Sequence, residues 1–95
     1  MNKMIKTYRV LNIISSLIGE VYESEGRYSS GLMEFLEELE GEVTESIDNN
    51  TPLTDFYILD TLHTITGISY WIGHKEDNLL LEELFNKLNT VLNEQ

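Results

Sequence analysis

Two carboxylate pairs, each with its members one helical turn apart, stand in the 95-residue sequence, Glu34-x-x-Glu37 and Glu45-x-x-Asp48. Carboxylates three residues apart share a helix face, and oxygen donors gathered this way can hold magnesium around a phosphate. That chemistry needs the pairs on two facing helices. Here both fall in one segment, away from its apolar stripe, so they read as solvated side chains. Asp60-x-x-His63 offers one carboxylate and one imidazole at ligand spacing, but a two-metal site needs a second copy and further carboxylates. His63 is therefore expected at the edge of the core, hydrogen-bonded to Asp60 or a threonine. His74 is expected at a helix end. Ser15, Ser16, Ser29 and Ser30 have no His/Asp partners in a nucleophile motif and read as caps or helix-face residues. Gly19, Gly41 and Gly67 are too scattered to cradle a phosphate, and are expected to allow close helix packing or to mark breaks. No catalytic constellation emerges, and the expectation is a protein that is not an enzyme and needs neither metal nor cofactor.

Charge is the stronger signal. Seventeen acidic and six basic side chains give a formal net charge of −11. Between Tyr28 and His74 there are nine acidic residues and no lysine or arginine. Direct nucleic-acid binding needs a basic face, and an anionic membrane repels an acidic one, so neither is expected as a partner. A basic protein surface is the natural partner, and the charge would speed that encounter. Glu34, Glu37, Glu38, Glu42 and Glu45 are the residues expected to make it. Glu34, Glu38, Glu42 and Glu45 fall on one side of a helix, where they could imitate the regular charge of nucleic acid. Like charges four residues apart destabilise the helix slightly, so their accumulation carries a small cost.

The elements that must position these residues are four amphipathic segments in one domain, residues 1–95. The first runs from about Lys3 to Ser24, with Met4, Tyr8, Leu11, Ile14, Ile18, Val21 and Tyr22 recurring at helical steps. Gly26 and Arg27 suggest a turn. The second opens near Ser29 or Ser30 and carries Leu32, Leu36, Leu39, Val43 and Ile47, joined by Phe35, to a turn at Asp48-Asn49-Asn50. Thr51-Pro52 predicts the start of the third, an N-cap followed by proline at the first helical position, which continues to Ile72. Phe56, Leu59, Leu62, Ile65, Ile68, Tyr70 and Trp71 make it the most apolar segment, so it is expected to be central. Its β-branched Thr61, Thr64, Ile65, Thr66 and Ile68 leave a short hairpin near Gly67 as the alternative. The fourth opens at Asp77 or Asn78 and ends near Leu92, with Leu81, Leu84, Phe85, Leu88, Val91 and Leu92 in its stripe. At least one leucine of Leu79-Leu80-Leu81 must lie outside that stripe. The fold class is all-α: a small antiparallel bundle of about four helices, or α+β if the hairpin forms.

Lys3, Lys6 and Arg9 open the first segment and oppose its macrodipole. Antiparallel pairing with the second would place them beside Glu42, Glu45 and Asp48, whose attraction could offset the mismatch. The same basic residues precede the apolar run Val10 to Ile18, but Asn12, Ser15 and Ser16 interrupt it and Glu20 follows without a small-x-small site, so no signal peptide is expected. No stretch reaches the roughly 18 apolar residues of a membrane span. With no cysteine in the chain, a cytoplasmic location is expected. Tyr57, Tyr70 and Trp71 concentrate aromatic surface that is expected mainly in the core; an exposed part could join a partner or a second copy in a homodimer.

Several spacings bear family likenesses. The acidic pairs resemble fragments of the motifs of all-helical nucleotide pyrophosphohydrolases, and Asp60-x-x-His63 resembles half the ligand pattern of di-iron bundles. Met1-Asn2-Lys3, Ile5, Thr7 and Arg9, with Phe35-Leu36 and Gly41, look like a small helical phage anti-sigma factor over less than half the chain; no functional residue is carried across on it. In size, acidity and helical pattern the chain resembles viral and mobile-element inhibitors, anti-CRISPR and other anti-defence proteins among them. That likeness implies a stoichiometric inhibitor that blocks a basic surface of a nucleic-acid-handling host protein. The alternatives are an immunity protein or antitoxin that neutralises a toxin, an oligomeric structural or assembly protein, and a metal-dependent hydrolase.

Overall fold

The computed structural model describes residues 4–71 and 73–94, and the side chains of these except 69–71. Four helices follow one another: α1 Met4–Glu23, α2 Ser30–Asp48, α3 Asp55–Trp71 and α4 Lys75–Leu92. They form an antiparallel up-down-up-down bundle with a radius of gyration of 13.2 Å and extents of 40 × 23 × 17 Å. α1 packs on both α2 and α4, and α4 packs on α3. The backbones of α2 and α3 stand further apart, and this looser seam opens a groove. One continuous core of Ile, Leu and Val from all four helices fills the centre, with Ile14, Leu36, Ile58 and Leu84 among its fully buried members.

The second and fourth stripes lie as their periodicity predicts. Leu32, Leu36, Leu39 and Val43 are buried on α2, with Phe35 and Ile47 half-buried; Leu81, Leu84, Leu88 and Val91 are buried on α4. Leu79 is the leucine of its triplet left outside, at 53% exposure, while Leu80 and Leu81 are buried. The first stripe is rotated relative to expectation. Thr7, Val10 and Leu17 turn inward with Met4, Ile14 and Ile18, whereas Tyr8 and Tyr22 are exposed. Thr7 can be buried because its hydroxyl accepts the Leu53 amide at 2.9 Å, which satisfies both groups.

That same bond moves the start of α3. Thr51 and Pro52 do not open the helix; the chain stays non-helical to Thr54, tied down by Leu53 to Thr7 and by the Ser46 hydroxyl to the Thr51 carbonyl. Thr54 is the cap instead, its Oγ1 accepting the Tyr57 amide at 3.1 Å. α2 ends in a Schellman arrangement: the Thr51 amide donates to the Ser46 carbonyl and the Asn50 amide to the Ile47 carbonyl, with Asn50 left-handed at φ 54°.

α3 is a helix through Gly67, not a hairpin. Its threonines resolve their β-branched reluctance by donating to carbonyls one turn back: Thr61 to Tyr57, Thr64 to Asp60, Thr66 to Leu62, each near 3 Å. Nor is α3 central. Ile58, Thr61, Leu62 and Ile65 are buried, but Phe56 is 77% exposed and Leu59 47%. The helices with two close neighbours are α1 and α4.

Gly19, Gly41 and Gly67 neither break their helices nor sit at a close approach, since a Cβ added at any of them meets nothing within 4 Å. Exposed Gly41 and Gly67 therefore weaken α2 and α3 without return. Gly67→Ala is expected to add about 1 kcal/mol, raising the melting temperature by about 4–8 °C in a chain of this size. Thermal denaturation followed by circular dichroism checks this.

Candidate functional site

α2 presents its carboxylates to solvent because the four buried side chains claim the opposite side. Glu34, Glu37, Glu38, Glu42 and Glu45 are all exposed, and none of them makes an ion pair among the described residues. Lys3 lies outside the described residues, and Lys6 and Arg9 do not neutralise them. Lys6 pairs with Asp55 at 3.0 Å, at the start of α3, and Arg9 pairs with Glu94, beyond the end of α4. Expected attraction to Glu42, Glu45 and Asp48 is thus replaced by contacts that tie α1 to α3 and α4. Glu40 of α2 reaches back to α1, accepting from the Ser15 hydroxyl at 2.9 Å.

The wide α2–α3 seam forms a groove of about 290 Å³. Phe35 and Leu39 supply apolar lining, Glu38, Glu42 and Asp60 supply carboxylates, and Tyr57 crosses between the helices. The Tyr57 hydroxyl donates to Glu42 Oε2 at 2.6 Å. Burial, and then the hydrogen bond to Glu42 and its charge, push the phenol above the ordinary tyrosine range, so it remains a donor. A second recess of about 350 Å³ continues past the Tyr57–Glu42 bridge, lined by Glu45, Ser46, Pro52 and Leu53 among others.

The structure thus brings Glu38, Glu42 and Tyr57 to one groove, places Glu45 in the adjoining recess, and leaves Glu34 and Glu37 outside both linings. Asp60 and Phe35 join the site without having been expected there. Spacing along one helix cannot show which neighbouring helix a residue will face, so only a reading of the α2–α3 pairing could have found them. The side chains of Tyr70 and Trp71 lie outside the described residues.

Of the other candidates, His63 departs from expectation, while the acidic pairs and His74 lie on an exposed helix face and at a helix end as expected. His63 is exposed on α3 with no hydrogen bond among the described residues, because the neighbouring threonines bond to backbone carbonyls instead. Glu34, Glu37, Glu45 and Asp48 lie exposed on one helix, and among the described residues no three potential ligands converge on a metal position. His74 caps α4, its Nδ1 accepting the Asp77 amide at 3.3 Å, so α4 begins two residues before the expected opening.

A Ser/Asp/His cluster also forms at the opposite end of the bundle. Asp77 is fully buried; its Oδ1 accepts the Ser29 amide at 3.0 Å and its Oδ2 accepts the Ser29 hydroxyl. Oδ1 lies 3.3 Å from His74 Nδ1. The carboxylate stands between serine and histidine, so the imidazole cannot take the serine proton, as a nucleophile's base must. The arrangement is instead a clamp. Ser29 caps α2 by accepting the Leu32 amide at 3.3 Å, and Asp77 holds Ser29 while bringing negative charge to the N-termini of both α2 and α4. Comparison with protein-family models, with curated proteins and with solved structures finds no match to this chain.

Proposed function

We propose that this protein is a binding protein that lays the acidic side of α2 against a basic surface of a nucleic-acid-handling protein, and so acts as a stoichiometric inhibitor of the anti-defence kind. The observation that carries this reading is the row of exposed, unneutralised carboxylates at Glu34, Glu37, Glu38, Glu42 and Glu45. A surface of this kind competes for the same cations that hold nucleic-acid phosphates. Affinity capture from host lysate, washed at low and then high salt, tests it. A nucleic-acid-binding protein retained at low salt and shed at high salt is the expected result. A partner held equally at both would count against an electrostatic surface, because exposed charges are screened over about 10 Å at 0.1 M salt. Self-association is the second reading, favoured by exposed Phe56 and Leu59 one turn apart on α3. A sedimentation-derived mass that rises with concentration would support that reading.

A further inference from the structure

The seam between α2 and α3 differs from the rest of the acidic surface in shape. Glu34 and Glu37 stand on an open helix face, whereas Glu38, Glu42 and Asp60 line a recess with Phe35, Leu39 and Tyr57. Its volume of about 290 Å³ lies at the bottom of the ~300–1,000 Å³ range of small-molecule sites. A single long side chain fits such a space better than an extended ligand does.

The charge fixes the sign of the occupant. Neither α2 nor α3 contains a lysine or arginine, and no cation of the chain pairs with Glu38, Glu42 or Asp60 among the described residues. The lining fixes its kind. An ammonium group is compact and strongly hydrated and gains little from apolar walls. A guanidinium is planar, weakly hydrated, stacks on aromatic rings and donates in a fork to carboxylates. Phe35 and Tyr57 offer rings, and carboxylates stand on both helices. The adjoining recess, which shares Tyr57 and Glu42, extends the path toward Glu45 and Pro52. A chain segment could therefore continue along the seam past the first anchored residue.

We propose that the α2–α3 groove takes an arginine side chain from a basic segment of the protein partner. The inference rests on the acidic-surface reading and narrows it: α2 supplies long-range attraction, and the groove supplies selectivity. Asp60 and Tyr57 on α3 become determinants of binding equal to the glutamates of α2.

Short labelled peptides of alternating glycine and arginine, and their lysine and citrulline counterparts, are the probes. Fluorescence anisotropy at fixed low salt reads affinity, and amide chemical shifts of the labelled protein read position. The arginine peptide is expected to bind at least about fivefold more tightly than the lysine peptide, and the uncharged citrulline peptide not measurably. Glu38→Gln and Asp60→Asn are each expected to weaken it about tenfold, and Glu34→Gln and Glu37→Gln about twofold. Tyr57→Leu should abolish the preference for arginine over lysine. Shifts should concentrate between residues 35–42 and 57–64, which locates the site even if one variant is poorly folded. Equal losses at all four carboxylates, equal affinity for both basic peptides, or no binding of the arginine peptide would overturn the groove. None of these results bears on the salt-sensitive capture that tests the wider reading, so the two can fail separately.

Discussion

Asp77→Ala is expected to remove about 3 kcal/mol of folding stability and to lower the melting temperature by about 12–24 °C. The carboxylate is fully buried and accepts both the amide and the hydroxyl of Ser29. Hydrogen bonds to charged groups contribute about 1.5–3 kcal/mol each. The sum is not fully lost, because a freed Ser29 hydroxyl can still serve Leu32. The orphaned Ser29 amide and the positive ends of α2 and α4 cannot be compensated as easily. Ser29→Ala should cost less, about 1–2 kcal/mol, since it removes the cap and one bond but leaves the amide on Asp77. Urea denaturation of the two variants compares them. An Asp77→Ala loss below that of Ser29→Ala would show that the carboxylate does not organise this end of the bundle.

Leu84→Ala is expected to cost about 2–5 kcal/mol and to lower the melting temperature by about 8–40 °C. Leu84 is fully buried in a core to which all four helices contribute. The cost combines lost transfer energy with the cavity left behind, and neighbours held on other helices collapse poorly into it. Phe56→Ala, on the same reasoning, should change little, because Phe56 is largely exposed. This contrast separates the core as described from one in which the apolar residues of α3 are central. The relevant readout is again the urea midpoint at unchanged slope.

Hydrophobic periodicity made the four helices legible, and it did so best where one stripe was unambiguous. α2 and α4 each carry leucines at three- and four-residue steps against charged neighbours, and their buried sides match the pattern. α1 and α3 were less legible for a common reason. Both bury threonine, and both expose large apolar or aromatic side chains. A sequence pattern scores Thr7 and Thr61 as polar, yet the Leu53 amide and the Tyr57 carbonyl satisfy their hydroxyls inside the fold. The start of α3 was misplaced because Thr51-Pro52 is good local chemistry for a helix start. Tertiary ties at Thr51 and Leu53 overrode it.

The acidic residues of the candidate surface were legible as a set, because burial of the leucine stripe forces them outward. Their division into an open face and a groove was not. That division depends on how far apart α2 and α3 stand, a consequence of how each packs on α1 and α4. The Ser29–Asp77 clamp was invisible for the same reason: its partners lie 48 residues apart and meet only because two helix N-termini share one end of the bundle.

On the proposed function, the exposed carboxylates of α2 bind a basic protein partner. Reversing Glu34, Glu37, Glu38, Glu42 and Glu45 to lysine tests it most directly. Each reversal adds two charges, taking the net charge from −11 to −1, so a companion with five glutamines, at −6, guards against effects of low net charge. Capture of the low-salt partner by each variant is measured beside its melting temperature. The reversed protein is expected to lose the partner entirely and the glutamine protein to lose most of it. The glutamine protein should melt no lower than the parent, since repulsion along α2 is relieved, while the lysines of the reversed protein repel one another as the glutamates did. Full retention of the partner by a folded, five-fold reversed protein would contradict it.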